Sequence, residues 1–346
     1  MPTGFEWPAV PILAAPMAGG ASTPELVAAV GAVGGLGFLA AGYLGAGAVL
    51  ERVSRLRELS DRPFGVNLFV PSASPVDDAD TEAVARYRER LLPEAERLGV
   101  GLPSVIPPDR DDWDAKIAAL LAHPVPLVSY TFGLPAPEEA RALRAAGTVQ
   151  IGTVTTVDEA RLAVAAGMDA LCVQGPDAGG HRATFRVADP PGREPLADLL
   201  AGIRAVTGLP LIAAGGLADG RAVAAALHAG AVAVQLGTAY LRARESGAPA
   251  VHRAALVDRH FTETVVTRAF TGRPARALRN AFTDGHERHA PAVYPEVHHL
   301  TRPLRAAAAK RGDAEAVHLW AGTGHRLARA APAAEITREL WRTARG

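Results

Sequence analysis

Short apolar runs recur along this chain at strand length, with amphipathic stretches between them. Buried strands are expected at 11–15, 34–40, 64–70, 127–132, 149–154, the front half of 171–182, 209–216 and 231–238. These runs are continuous rather than alternating, the pattern of parallel strands covered on both faces. Between them, helical stretches are expected. One runs from Pro24 to about Val33, with Ser22 or Thr23 as its cap and Pro24 in its first turn. Others fall at 46–59, 80–98, 137–146, 156–167 and 220–228. Thr156 and Glu159 have capping-box spacing at the start of the fifth. Alternating units of this length imply parallel pairing with right-handed crossovers, and eight of them imply an α/β fold, a closed (β/α)8 TIM barrel. An Ala-Gly-x-x-Ala-apolar entry from helix to strand, at Ala166 and again at Ala229, is a faint internal echo of that repeat.

Two regions break the pattern. Residues 71–108 are charged and proline-punctuated, and read as an excursion over the barrel mouth. Residues 243–328 show helical periodicity and no comparable strands, before one more amphipathic helix at 333–341. The economical reading displaces the eighth helix to the C-terminus and inserts a helical subdomain after the eighth strand. The expected division is a barrel of 1–242 plus 329–346 and a substrate-covering helical subdomain of 243–328.

Composition narrows the class. The chain has 346 residues, 49% of them apolar, enough for a large core. Its 36 basic and 36 acidic residues give zero formal charge, and no basic block appears, so nucleic acid is not an expected partner. The one cysteine, Cys172, lies in an expected buried strand, which excludes a disulfide framework or thiolate metal site within the chain. Residues 1–10 lack a leader pattern. The uncharged run 26–50 is long enough to span a bilayer, but seven glycines divide it into helix, strand and loop. A cytoplasmic protein with no membrane partner, monomeric or homodimeric, is expected.

Candidate chemistry lies where a barrel keeps it, at the C-terminal ends of the strands. Pro16-Met17 ends the first strand and Asn67 lies in the third. Thr131-Phe132-Gly133 ends the fourth, and Gln174 with Gly179-Gly180-His181 follows the sixth. Gly215-Gly216 ends the seventh, and Gln235, Gly237 and Thr238 end the eighth. Glycine turns there suit a phosphate held by backbone N–H groups. Asn67, Gln174 and Gln235 offer the neutral donors and acceptors that a flavin requires. Asn67 is either a structural pin or a ligand contact, since a buried amide needs partners. His181 can gain or lose a proton near neutral pH. No Asp, Glu or His cluster has metal-ligand spacing, so no metal is expected.

At this level of detail the sequence resembles the nitronate monooxygenase family. The resemblance is carried by Pro11-Ile-Leu-Ala-Ala-Pro-Met-Ala-Gly-Gly20, Gly65-Val-Asn-Leu-Phe69, Ser129-Tyr-Thr-Phe-Gly-Leu-Pro135 and Gln174-Gly-Pro-Asp-Ala-Gly-Gly-His181. Ala213-Ala-Gly-Gly216, Gln235-Leu-Gly-Thr238, Phe270-Thr-Gly-Arg-Pro-Ala-Arg276 and Leu319-Trp-Ala-Gly322 extend it nearly end to end. The resemblance implies an FMN enzyme that oxidises alkyl nitronates, of the propionate 3-nitronate type, with O2 to a carbonyl compound and nitrite. It implies FMN contacts at Met17, Asn67, Gln174, Gly179, Gly180, Gly215, Gly216, Gln235, Leu236, Gly237 and Thr238. His181 becomes the active-site base or the polar partner of the nitro group. Thr131, Tyr294 and His298 become candidates for the substrate pocket, with Tyr294 equally suited to packing. A neutral nitroalkane would need His181 to remove its α-proton. The sequence departs from the family pattern at Asp177, where Glu is common, at Thr323, where Gln is usual, and at Thr131, where some relatives carry a second histidine. An FMN-dependent enoyl-[acyl-carrier-protein] reductase using NAD(P)H shares the Ala-Gly-Gly-His turn and is the nearest alternative.

Overall fold

The structure is a computed structural model that describes residues 5–72 and 76–346. The first four residues of the stretch without a leader pattern and residues 73–75 of the expected excursion lie outside the described residues. Eight parallel strands close a barrel: β1 (Ile12–Ala14), β2 (Leu36–Ala40), β3 (Gly65–Phe69), β4 (Leu127–Thr131), β5 (Val149–Val154) and β6 (Ala170–Gln174), then, past the two-residue β7 (Gly180–His181), β8 (Leu211–Ala214) and β9 (Ala233–Leu236), which returns to β1. Leu13, Phe38, Ile151, Cys172 and Ile212 fill the interior. Gly65 is required there, because a Cβ would stand 2.1 Å from Cε1 of Phe38.

The covering helices follow in order. They are α1 (Pro24–Gly31), α2 (Ala46–Leu59), α3 (Asp78–Leu98), α4 (Trp113–Ala122), α5 (Pro137–Ala145), α6 (Val157–Ala165), α7 (Leu196–Arg204) and α8 (Gly220–His228). The bilayer-length run 26–50 is thus α1, β2 and the start of α2, and no helix among the described residues is long and apolar enough to cross a membrane. Hydroxyl and carboxylate caps start several of these helices. Thr23 accepts from Leu26 N, Thr156 from Glu159 N and Asp219 from Ala222 N. The capping box expected at Thr156 is only half formed. The Glu159 carboxylate reaches past the helix to Thr155 N and Phe185 N, at 2.6 and 2.8 Å, and ties the end of β5 to the loop after β7. Two helices absent from the sequence reading, α4 and α7, have no side-chain N-cap bond. The same holds for α2 and α5, which were expected from their periodicity.

Beyond β9 come α9 (Ala250–Ala255), β10 (Thr264–Thr267), β11 (Ala275–Leu278), α10 (Ala281–His286), α11 (Glu296–Arg311) and α12 (Ala333–Arg345). The last of these packs between α8 and α1 and completes the ring. Thr337 on it meets the Tyr240 hydroxyl at 2.7 Å. The 243–328 segment therefore holds strands where none were expected. The Ala-Arg-Ala-Leu of β11 carries a charge and lacks β-branched residues, so it does not read as a buried strand. β10, β11 and β7 form one antiparallel sheet, so the inserted segment is bonded directly to His181. A second hydrophobic cluster joins this segment to α3, with Tyr87 and Leu91 packed among Phe270, Phe282 and Leu300. Tyr87 donates to the carbonyl of Ala269 at 2.7 Å.

Candidate functional site

The C-terminal mouth of the barrel opens into a cleft with about 1550 Å3 of empty space continuous with solvent. Met17, Asn67, Thr131, Gln174, Gly179, Gly180, His181, Gly215, Gly216, Gln235, Leu236, Gly237 and Thr238 all border it. Tyr294 and His298 do not. Tyr294 lines a smaller adjoining cavity with Phe69 and Pro71. His298 is 6% exposed and stacks flat on Tyr43 at 4.0 Å, with the Tyr43 ring between it and the cleft.

Backbone shape on one side of the cleft follows from its glycines. Gly215 and Gly216 have φ of +106° and +72°, where a side chain is strained. A Cβ at Gly216 would also stand 2.9 Å from that of Asp177. Gly179 passes so close to the 321–322 backbone that a Cβ would lie 2.4 Å from Gly322 N. Gly322 N in turn donates to Thr238 Oγ1 at 3.0 Å. The turns after β6, β8 and β9 and the 321–324 loop are thereby drawn to one point. Among the described residues, the backbone N–H groups of Gly215, Gly216, Gly237 and Thr238 have no protein acceptor. Converging free amides at the ends of the seventh and eighth barrel strands are a cradle for a phosphate. Met17 is held beside it by Ser22, whose hydroxyl accepts from Met17 N at 2.8 Å and donates to Ala15 O.

Three side-chain amides flank the other part of the cleft. Asn67 is pinned: its Nδ2 donates to Ser129 Oγ at 2.9 Å and to Thr131 Oγ1 at 3.0 Å, while the residue borders the cleft. Gln174 clamps the histidine segment, donating to His181 O and accepting from Ala183 N, each at 3.0 Å. Gln235 donates to the Cys172 sulfur at 3.4 Å. Burial pushes that thiol up to about 12, so Cys172 stays protonated and inert.

His181 stands at the lip, its backbone fixed by β11 and Gln174. Nε2 lies 3.0 Å from Thr271 Oγ1. That hydroxyl also lies 3.2 Å from Arg273 O, so its one proton serves either the carbonyl or the imidazole nitrogen. When that hydroxyl donates to Nε2, Nδ1 carries the imidazole proton and is able to donate to an anion. Burial first, then the Arg273 and Arg305 charges, bring the imidazole down to about 3. It is therefore neutral through the physiological range, a hydrogen-bonding partner first and a weak base second.

Apart from Phe132 and Tyr294, several residues around His181 were not candidates in the sequence. Phe132, Trp320 and Tyr294 surround its ring at centroid distances of 5.5, 5.4 and 5.8 Å. Tyr43 and Phe132 hold left-handed backbone, at φ of +67° and +79°, unusual for bulky residues and clustered at this site. The buried pair Lys116–Asp111, at 2.7 Å, stands behind Tyr43, whose N–H donates to Asp111. Thr271 and Arg273 belong to the Phe270–Arg276 stretch, and nothing in a linear motif shows that it folds back onto His181.

The comparisons agree with this geometry. Residues 6–343 match the nitronate monooxygenase family. A probable nitronate monooxygenase of Staphylococcus aureus (strain Newman) is 38% identical over 331 residues, 94% of this chain and 92% of that protein. Among solved structures, the chain is similar to nitroalkane oxidase from Streptomyces ansochromogenes, with 48% identity and a TM-score of 0.93 over 98% of this chain and 96% of that one. It is also similar to FabK from Thermotoga maritima, with 29% identity and a TM-score of 0.74 over 97% and 92% of the two chains. A match spanning the whole barrel and the segment that closes on His181 leads to one conclusion: this chain belongs to the nitronate monooxygenase family and is an oxidoreductase.

Proposed function

We propose that this protein binds FMN in the barrel mouth and oxidises alkyl nitronates with O2 to a carbonyl compound and nitrite. The observation that carries the reading is a neutral His181 beside a cradle of free backbone amides. The cradle at Gly215, Gly216, Gly237 and Thr238 fits the phosphate, and Asn67, Gln174 and Gln235 flank the space for the ring system. When bound, FMN supplies the redox chemistry between the nitronate and O2. The chain supplies position and field. His181 orients the nitronate, and the rings of Phe132, Trp320 and Tyr294 pack around its imidazole.

A base held down to about 3 is poorly suited to taking an α-proton from a neutral nitroalkane. A preformed nitronate brings no proton to remove, so the electrostatics favour the anion. The same reading divides the chain into the barrel, 1–242 plus 329–346, and a substrate-covering segment, 243–328. The two separate hydrophobic clusters support that division, with α3 counted on the covering side.

The test is turnover. Purified protein loaded with FMN is mixed with propionate 3-nitronate in an oxygen electrode, and nitrite is assayed. Oxygen uptake matched by nitrite, and unaffected by NADH, is the expected result. Oxidation of NADH with an enoyl thioester, and no nitrite, would instead favour the reductase chemistry that the likeness to FabK keeps in view.

A further inference from the structure

We infer that Arg273 sets the charge preference of this site, its buried guanidinium favouring an anionic, planar oxyanion over the neutral nitroalkane. The inference deepens the proposed function and rests on it. Arg273 is 2% exposed. Its Nη1 donates to Thr184 O at 2.5 Å, and its Nε has no partner. The guanidinium carbon lies 4.0 Å over the centre of Phe132 and 5.4 Å from that of Tyr294. Both of those rings meet His181 edge-on. One aromatic layer therefore separates a fixed positive charge from the reacting position.

No carboxylate neutralises that charge among the described residues. Glu159, the carboxylate whose field reaches Arg273, is bonded to Thr155 and Phe185 instead. Asp111, which lines the same small cavity as Arg273, is paired with Lys116 at 2.7 Å, and Asp109 there is paired with His299 at 2.8 Å. Arg268 and Arg305 add cationic charge, and Arg305 is bonded to Thr301 and His298 rather than to an acid. Tyr43 and Tyr294 are pushed above their ordinary range by burial and stay neutral. His298 and His318 are pushed down by burial and stay neutral too. A buried cation with no counter-ion is costly. Stacking on Phe132 offsets part of that cost, and an anionic substrate would offset more. The placement is also built in locally. Gly272, at φ +82° with a Cβ position 2.1 Å from Val293 O, turns the chain so that Thr271 reaches His181 while Arg273 reaches Phe132.

The test uses a matched pair that differs by one proton, ethyl nitronate and nitroethane, with FMN-loaded wild type, Arg273→Gln and Arg273→Lys. The kcat/KM ratio of nitronate to nitroalkane should fall about tenfold in Arg273→Gln, mostly through KM for the anion, and recover largely in Arg273→Lys. The acid limb of the nitroethane profile should move up by about one pH unit in Arg273→Gln, because removing a nearby cation raises the proton affinity of His181. Calorimetric binding of nitrate, a redox-inert planar oxyanion, should weaken about tenfold in parallel. If Arg273→Gln does not fold with FMN, Arg273→Met keeps the stem and removes the charge. Equal losses on both substrates, with nitrate binding and the acid limb unmoved, would overturn the inference and reduce Arg273 to packing. A wild type that turns over neither substrate would overturn the proposed function instead, and nitrate binding would still decide whether the Arg273 charge favours an anion in the cleft.

Discussion

The Thr271 hydroxyl, shared between His181 Nε2 and Arg273 O, fixes the orientation of the His181 ring. Thr271→Val removes that hydroxyl without removing bulk. It should lower kcat/KM for a nitronate by about tenfold at unchanged FMN content, and Thr271→Ser should restore most of it, as steady-state assays of the three proteins would show. On the cofactor side the sensitive position is Gly216. Its φ of +72° and the Asp177 side chain beside it leave no room for a Cβ. Gly216→Val should weaken FMN binding at least about tenfold, measured by fluorescence titration of the stripped protein. His181 and the glycine pairs were legible in the sequence, because a turn that needs glycine leaves glycine in the chain. Thr271 and Arg273 were not, since their roles depend on a fold-back of about ninety residues that no local pattern encodes.

Among elements, α12 shows how a long insertion leaves a barrel intact. The helix arrives from the far end of the chain and buries Ala333, Ile336 and Leu340 against α8 and α1. Ile336→Ala should cost about 2–4 kcal/mol by urea denaturation, while the FMN content of the folded fraction stays normal. That helix was predictable from its amphipathic stripe, and so was most of the barrel. Residues 46–59, 149–154 and 220–228 form elements with the very bounds their periodicity implied. The Ala-Gly echo proves to be a pair of helix ends, with Gly167 and Gly230 at φ of +78° and +94° just past α6 and α8. What escaped were α4, α7, and the short β10 and β11. The last two matter most, because their sheet binds β7 and so fixes His181.

The whole molecule carries a set of neutral buried histidines around the mouth. Burial is the leading cause in each case: His181 is held down to about 3 and His252 to about 4, with His298 and His318 well below the ordinary value. The unfolded chain protonates the same residues near pH 6.5. Between that value and the depressed ones the unfolded state binds more protons, so stability is fully present above about pH 6.5 and is lost as pH falls. His252 alone accounts for about 2 kcal/mol between pH 6.5 and 5. The urea midpoint should therefore drop between pH 7.5 and 5, and His252→Gln should flatten the slope. A midpoint independent of pH across that range would contradict the neutral cluster.

The most direct measurement is an anaerobic visible spectrum of the FMN-loaded protein before and after propionate 3-nitronate, with NADH in a parallel cuvette. Loss of the yellow absorbance on adding the nitronate, none with NADH, and a much slower loss in His181→Asn are the predicted result. Bleaching by NADH alone, or a response to the nitronate that His181→Asn leaves unchanged, would contradict the account.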